Sequence, residues 1–316
     1  MIRRALLAAS HSGGARRVVE TAPFARDVAR RFIAGETAAD AARVTERLTG
    51  EGLLVTLDVL GEDVHDKERA ETNVGTYREL LERLHAEGLG SRAEVSLKLS
   101  AVGRALDEEL ALDNARRVCE AAATAGTTVT LDMEEPEAVD ATFRTLHELR
   151  RDHPTVGAVV QAYLRRAEEY CADLAYEGSR VRLCKGAYAA PEAIAFVEKD
   201  EIDKSFVRCM KVLMAGKGYP MLATHDPRLI EIAEALTLLN DRDAGTFEYQ
   251  MLYGVRPQEQ RRLAAEGAQV RVYVAYGRDW YAYFMRRLAE KPANLRMVMR
   301  SLAPAIGWAG RRKVSR

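Results

Sequence analysis

The 316-residue chain has no excess of charge of either sign: 47 lysines and arginines are matched by 47 aspartates and glutamates. A nucleic-acid binder normally carries a basic surplus on its contact face, so that class loses its main support, while a local basic pocket stays open. Cysteine is scarce. Cys119, Cys171, Cys184 and Cys209 make no C-x-x-C pair, and none stands in a ligand pattern with a histidine. That spacing argues against a metal site and for buried free thiols in a reducing compartment. No run approaches the ~20 apolar residues that a membrane span needs. Met1–Ser10 has some look of a signal peptide, but its apolar part is short and polar His11-Ser12 follows at once. The expectation is a soluble, cytoplasmic protein, with peripheral contact at the inner face of the cell membrane left open. Also missing are G-x-G-x-x-G after a strand, a P-loop lysine, H-E-x-x-H and G-x-S-x-G. Those absences remove the main signals for a Rossmann site, an ATP cradle, a zinc protease and a serine nucleophile elbow. No Pro-, Gly- or Ser-rich linker, low-complexity tract or repeat divides the chain.

What is present is an alternation. Eight short apolar runs lead into polar residues: Val55–Leu57 into Asp58, Val95–Leu97 into Lys98, Thr127–Leu131 into Asp132, and Ala158–Val160 into Gln161. Val181–Cys184, with Arg182 inside it, leads into Lys185. Met221–Ala223 leads into Thr224 and His225, Thr246-Phe247 into Glu248 and Gln250, and Val270–Val274 carries Tyr273. Between the runs lie charged stretches of helical period, some opening on proline, as at Pro191, Pro227 and Pro257. Strand-helix alternation with buried apolar strands signals a parallel sheet. Eight such units favour an α/β fold of the (β/α)8 TIM-barrel type, with a doubly wound open sheet as the alternative. Residues 1–45 predict an N-terminal helical arm that packs on the barrel, with Phe24, Val28 and Phe32 at helical spacing. Residues 46–295 predict the barrel, and 296–316 a C-terminal helix ending in the basic tip Arg311-Arg312-Lys313.

A barrel builds its active site at the C-terminal ends of its strands, which makes the residues just named candidates. Lys98 and Lys185 suit either a Schiff-base nucleophile or a fixed charge for an anion. Arg286-Arg287, on the helix after the eighth strand and preceded by Tyr281, Tyr283 and Phe284, offers planar forks for a carboxylate or phosphate. Asp58, Glu62, Asp132, Glu134 and Glu248 would offset these cations in a paired network, and surplus positive groups would suit an anionic ligand. His225, directly after the sixth run, is either a hydrogen-bonded structural residue or a catalyst. Glu248 and Gln250 receive no role.

Taken in order, these segments resemble the proline dehydrogenase family. The segment Arg182-Leu183-Cys184-Lys185-Gly186-Ala187-Tyr188 looks like its strand-five motif. Similar likenesses lie in Leu57–Glu62, Ser96–Ser100, Leu131–Glu135, Val160–Tyr163, Ala223–His225, Tyr273, and Tyr283-x-x-Arg286-Arg287-x-x-Glu290. The likeness runs from about residue 50 to 295 and is to the monofunctional bacterial enzymes. It implies a distorted (β/α)8 barrel holding non-covalent FAD, oxidation of L-proline to Δ1-pyrroline-5-carboxylate by hydride transfer from C5 to flavin N5, and electrons passed to a quinone. By that resemblance Lys98, Arg286 and Arg287 clamp the substrate carboxylate. Tyr188, Tyr283 and Leu252 wall the ring, Asp132 and Tyr273 hold the clamp, and Glu62 is a gate carboxylate pairing with Arg286. Arg182 lies near flavin N5, and Met133, Gln161, Lys185, Gly186, Ala187, Thr224, His225 and Glu290 are further FAD contacts. Ala189 and Asp226 depart from the tryptophan and asparagine usual in the bifunctional enzymes. No side chain stands out as base for the substrate amine. Two other readings stay open: a Schiff-base lyase or aldolase using Lys98 or Lys185, and a non-catalytic barrel that binds an anion. Whether the chain forms a homo-oligomer is not legible.

Overall fold

A computed structural model describes residues 29–62, 64–186 and 188–290, without the side chains of 288–290. Its strands are β1 (Leu54–Val59), β2 (Ala93–Leu97), β3 (Val129–Leu131), β4 (Ala158–Gln161), β5 (Arg180–Cys184), β6 (Tyr219–Ala223), β7 (Glu248–Leu252) and β8 (Val270–Tyr276). All pair in parallel, in the order β3-β2-β1-β8-β7-β6-β5-β4. The sheet is therefore a barrel closed everywhere except between β3 and β4. There a single residue bridges the gap: Gly157 donates to Val129 O (2.8 Å), and its own carbonyl accepts from Leu131 N (2.9 Å). A Cβ on Gly157 would stand 2.5 Å from Thr130 Oγ1, so only glycine permits this approach. The eight-strand barrel expected from the alternation is the fold found, distorted at this seam.

Helix α1 (Ala38–Gly50) precedes the barrel. After successive strands come α2 (Lys67–Ala86), α3 (Glu108–Thr124), α4 (Val139–Asp152), α5 (Ala167–Leu174), α6 (Lys199–Ala215), α7 (Pro227–Leu239), α8 (Pro257–Ala265) and α9 (Trp280–Glu290). Several starts are fixed by side-chain caps that satisfy first-turn amides: Thr37 with Asp40 for α1, Asp66 for α2, Asp107 for α3 and Asp226 for α7. The strands obey their period of two. Val55, Leu57, Val95, Leu97, Val129, Leu131, Val181, Leu183, Val272 and Val274 join the apolar core. The alternate positions, Thr56, Asp58, Glu94, Ser96, Thr130, Arg180, Arg182, Glu248, Gln250, Arg271 and Tyr273, meet one another inside the barrel, as the hydrogen bonds below show.

Three expectations are corrected. The helix expected from Pro191 begins at Lys199. Residues 191–198 instead form turns and an antiparallel bridge of Ala195 to Leu164, because Arg165 N donates to Ile194 O (2.9 Å) and Phe196 N donates to Tyr163 O (2.7 Å), which draws the segment to residues 163–165. The seventh strand starts at Glu248, so Glu248 and Gln250 lie within it rather than after it. The boundary drawn at residue 45 falls inside α1, which packs on α2, β1 and β8. Of the arm, residues 29–45 are described. Ala29, Phe32 and Ile33 form a second apolar cluster with Leu60 and with Trp280, Tyr281, Phe284 and Met285 of α9. Phe24, Val28 and 296–316 lie outside the described residues.

Candidate active site

A cavity of about 500 Å³ opens at the C-terminal ends of the strands. Lys98, Asp132, Met133, Gln161, Arg182, Lys185, Gly186, Tyr188, Thr224, His225, Leu252, Tyr273, Tyr283, Arg286, Arg287 and Glu62 all line it. Of the residues singled out from sequence, Ala187 and the Glu290 side chain lie outside the described residues. The helix after β8 crosses the mouth: Phe284 anchors it to Phe32 through a ring contact at 6.4 Å, and Trp280 backs Phe284 at 5.8 Å within the helix. That anchoring turns Tyr283, Arg286 and Arg287 toward the cavity.

Lys98 is the hub of one wall. Its Nζ lies 2.6 Å from Asp58 Oδ1, 3.3 Å from Asp132 Oδ2 and 3.8 Å from Glu62 Oε1. Burial by itself would lower the lysine pKa, but Asp58, Tyr273, Asp132 and Glu62 outweigh it and hold it well above its usual range. Burial pushes Asp58 up to about 6, opposed by Lys98 and assisted by the negative charge of Asp132. Asp132 is buried too, yet Lys98 and Arg182 keep it below its ordinary value. Tyr273 donates to Asp132 Oδ2 at 2.9 Å. Arg286 Nη2 sits 3.0 Å from Glu62 Oε1, the oxygen that also faces Lys98. One carboxylate thus bridges two cations across the mouth.

Arg182 forms the floor. Its Nη1 donates to Asp132 Oδ1 (2.7 Å) and Ser96 Oγ (2.9 Å), and its Nε to Gln250 Oε1 (2.6 Å). Its guanidinium carbon lies 5.1 Å from the Tyr273 ring centroid. Beneath it, Glu94 faces Arg180 (2.5 Å), Arg182 (3.4 Å) and Arg271 (3.9 Å). Burial works against its charge, but the three arginines win and hold Glu94 at about 2. Such a buried ion cluster costs much desolvation and is tolerable only because each charge is paired. Ser96, Glu94, Gln250, Glu248 and Arg271 were not picked out as site residues from sequence. The readable signal was the polar residue at every second position of β1, β2, β5, β7 and β8.

Apolar Met133, Val159, Ala223 and Met251 also line the cavity. Gln161 commits both amide hydrogens to the carbonyls of Met133 (2.9 Å) and Glu134 (2.8 Å), so the group it offers the cavity is an acceptor oxygen. Glu134 is raised by burial against the pull of its Ser100 hydrogen bonds. Leu252 N donates to His225 Nε2 at 2.9 Å, which puts the imidazole proton on Nδ1. Lys185 lies between Asp203 (2.5 Å) and Asp226 (3.3 Å). Gly186 adopts φ 95°, and the Tyr163 ring occupies the space a Cβ would take, so packing alone already requires glycine there. Cys184 is not fully buried as expected of the thiols. It lines the cavity, and burial pushes its thiol up to about 11, which leaves it a poor nucleophile.

These groups suit a flavin. They supply apolar faces for a flat ring system, an acceptor for a ring N–H, a guanidinium for developing negative charge and a rim lysine for a diphosphate.

Comparison with known proteins identifies the family. The family model for proline dehydrogenase matches residues 41–300. The chain is 38% identical over 274 residues to proline dehydrogenase 1 of Bacillus subtilis (strain 168), covering 87% of this chain and 90% of that one. It is 39% identical over 283 residues to proline dehydrogenase of Deinococcus radiodurans, again with 87% and 90% covered. Among solved structures, proline utilization A from Bdellovibrio bacteriovorus, inactivated by N-propargylglycine, superposes with a TM-score of 0.77 at 24% identity. That match covers 84% of this chain and 32% of the longer protein, and it bears on the fold alone.

Proposed function

Since the chain belongs to the proline dehydrogenase family, whose activity is the oxidation of proline in proline catabolism, we propose that it uses FAD and forms Δ1-pyrroline-5-carboxylate from L-proline. Bound FAD would accept at N5 the hydride leaving proline C5 and deliver the electrons to a quinone. The carrying observation is the Glu62 oxygen lying between Arg286 (3.0 Å) and Lys98 (3.8 Å). Two cations spaced to share one carboxylate are spaced to receive the carboxylate of an amino acid.

Lys98, Arg286 and Arg287 then fix the substrate carboxylate, and fixing it aligns the ring with the cofactor. Asp58, Asp132 and Tyr273 hold Lys98 where it is. Tyr188, Tyr283 and Leu252 supply the apolar wall for the ring, and Glu62 closes over it by pairing with Arg286. Arg182 places a cation at the cofactor, where the reduced ring gains negative character. Met133, Gln161, Lys185, Gly186, Ala187, Thr224, His225 and Glu290 complete the cofactor contacts in this reading. Arg182 and Asp132 are the residues on which the rate depends most.

Lysine chemistry fits less well. A Schiff-base nucleophile needs a depressed pKa, and three carboxylates raise that of Lys98. Lys185 is held by two carboxylates.

The clamp is tested by Arg286→Lys and Arg287→Lys. Each replaces a fork by a point charge, and the KM for proline should rise roughly ten- to a hundred-fold. Unchanged steady-state kinetics in both variants would contradict the clamp.

A further inference from the structure

Gln250 and Glu248 are among the residues of the barrel interior that no step so far uses. Gln250 is 3% exposed and Glu248 is fully buried. Gln250 Oε1 accepts from Arg182 Nε at 2.6 Å, and its Nε2 donates to Glu248 Oε1 at 2.6 Å. The same Glu248 oxygen accepts from Arg271 Nε at 2.7 Å, and Glu248 Oε2 from Arg271 Nη2 at 3.0 Å. Arg271 is in turn tied to the barrel wall through Val55 O at 3.0 Å.

This chain has a direction. Arg271 can only donate, so both Glu248 oxygens must accept. Glu248 therefore demands a donor from Gln250, which fixes the amide with its oxygen toward Arg182. A flipped amide would set its NH2 group against the guanidinium and its oxygen against the carboxylate. The orientation of a neutral side chain is thus dictated by an ion pair below the cavity and passed to the cation at the cavity floor. Arg182's remaining nitrogens are held by Asp132, Ser96 and Glu94, so Gln250 supplies the acceptor for Nε. Nε stands nearest the stem and sets the plane of the guanidinium.

We propose that Gln250, oriented by the Glu248–Arg271 pair, is a positioning residue that sets the plane of the Arg182 guanidinium for the redox step. The inference rests on the reading of Arg182 as the cation at the cofactor. Gln250→Met keeps the volume and removes both hydrogen bonds. Gln250→Glu joined to Glu248→Gln keeps the acceptor for Nε, the donor between the two side chains and the total charge.

The test uses flavin-loaded enzyme, reading the rate of flavin bleaching by proline, the flavin midpoint potential, and the Kd of a ring carboxylate that lacks the amine. Gln250→Met should slow bleaching roughly ten-fold, move the potential to more negative values, and leave the carboxylate Kd within about two-fold of its starting value. The exchange Gln250→Glu with Glu248→Gln should restore most of the rate. Gln250→Asn, shortened and still polar, should show the same signature more mildly and serves if the methionine variant does not fold. Wild-type rate and potential in Gln250→Met, beside a slowed Arg182→Lys, would overturn the inference and leave the function standing. An unaffected Arg182→Lys would remove the premise as well. Equal slowing in Gln250→Met and in the exchange of Gln250→Glu with Glu248→Gln, with a weakened carboxylate Kd, would reduce Gln250 to general packing and also overturn it.

Discussion

Asp58 is the residue whose surroundings make the clearest demand on pH. It is 1% exposed, 2.6 Å from Lys98, and pushed up to about 6 by burial. Its folded pKa is above the ordinary carboxylate value, so Asp58 gains a proton as the pH falls through about 6, where a solvated aspartate would stay charged. Losing that negative charge leaves Lys98 less neutralised. Binding of a ring carboxylate without an amine should therefore tighten several-fold as the pH falls from 8 to 5, consistent with a charge removed at close range. Asp58→Asn should bind tighter at pH 8 and flatten the profile. A titration that stays as steep in the variant would remove Asp58 from this account. A second demand concerns Asp226, whose Oδ2 lies 3.3 Å from Lys185. If Lys185 meets a cofactor diphosphate, Asp226 competes for it. Asn caps a helix as well as Asp does, so Asp226→Asn should leave α7 intact and tighten flavin retention several-fold by fluorescence titration. Weaker retention would mean that Asp226 itself helps to hold the cofactor.

Among the elements, the β3–β4 seam is where the barrel is most dependent on one residue. Gly157→Val would drive its side chain into Thr130 and part the two Gly157 hydrogen bonds. A loss of about 1–3 kcal/mol is expected from overpacking at such a site, seen as a lower urea midpoint with an unchanged slope. A wild-type midpoint would show that the seam carries no weight. The elements also show what a sequence can and cannot convey. Apolar runs at β1, β2, β3, β5 and β8 are plain because their outward faces must be Val and Leu to pack on helices. At β7 the apolar signal is weakest, since Glu248 and Gln250 alternate with Tyr249 and Met251, and the strand is read two residues early. Pro191 reads as a helix start because its fixed φ suits a first turn. The segment turns instead to reach Leu164, a long-range contact that no local preference announces. The cavity-lining residues were legible one by one. That Glu94 gathers three arginines from two other strands was not, because pairing across a barrel is set by register.

At the scale of the molecule, the balance of total charge is repeated inside the barrel. Arg180, Arg182, Arg271 and Lys98 stand inside the barrel with Glu94, Glu248, Asp132 and Asp58, and α9 adds Arg286 and Arg287 over its mouth. The apolar cluster of residues 29–33 with α9 fixes that helix to the end of β8, where Ala34 N bonds Ala275 O at 2.9 Å. The barrel supplies Lys98 and Arg182, the helix supplies Arg286 and Arg287, and the cavity of about 500 Å³ lies among them. All of this converges on one claim, that the cavity holds a flavin which proline reduces. The direct measurement is the visible absorption spectrum of the purified protein, taken without oxygen before and after adding proline. The account predicts a yellow protein whose flavin band bleaches with proline. A colourless protein that fails to take up added FAD would contradict it.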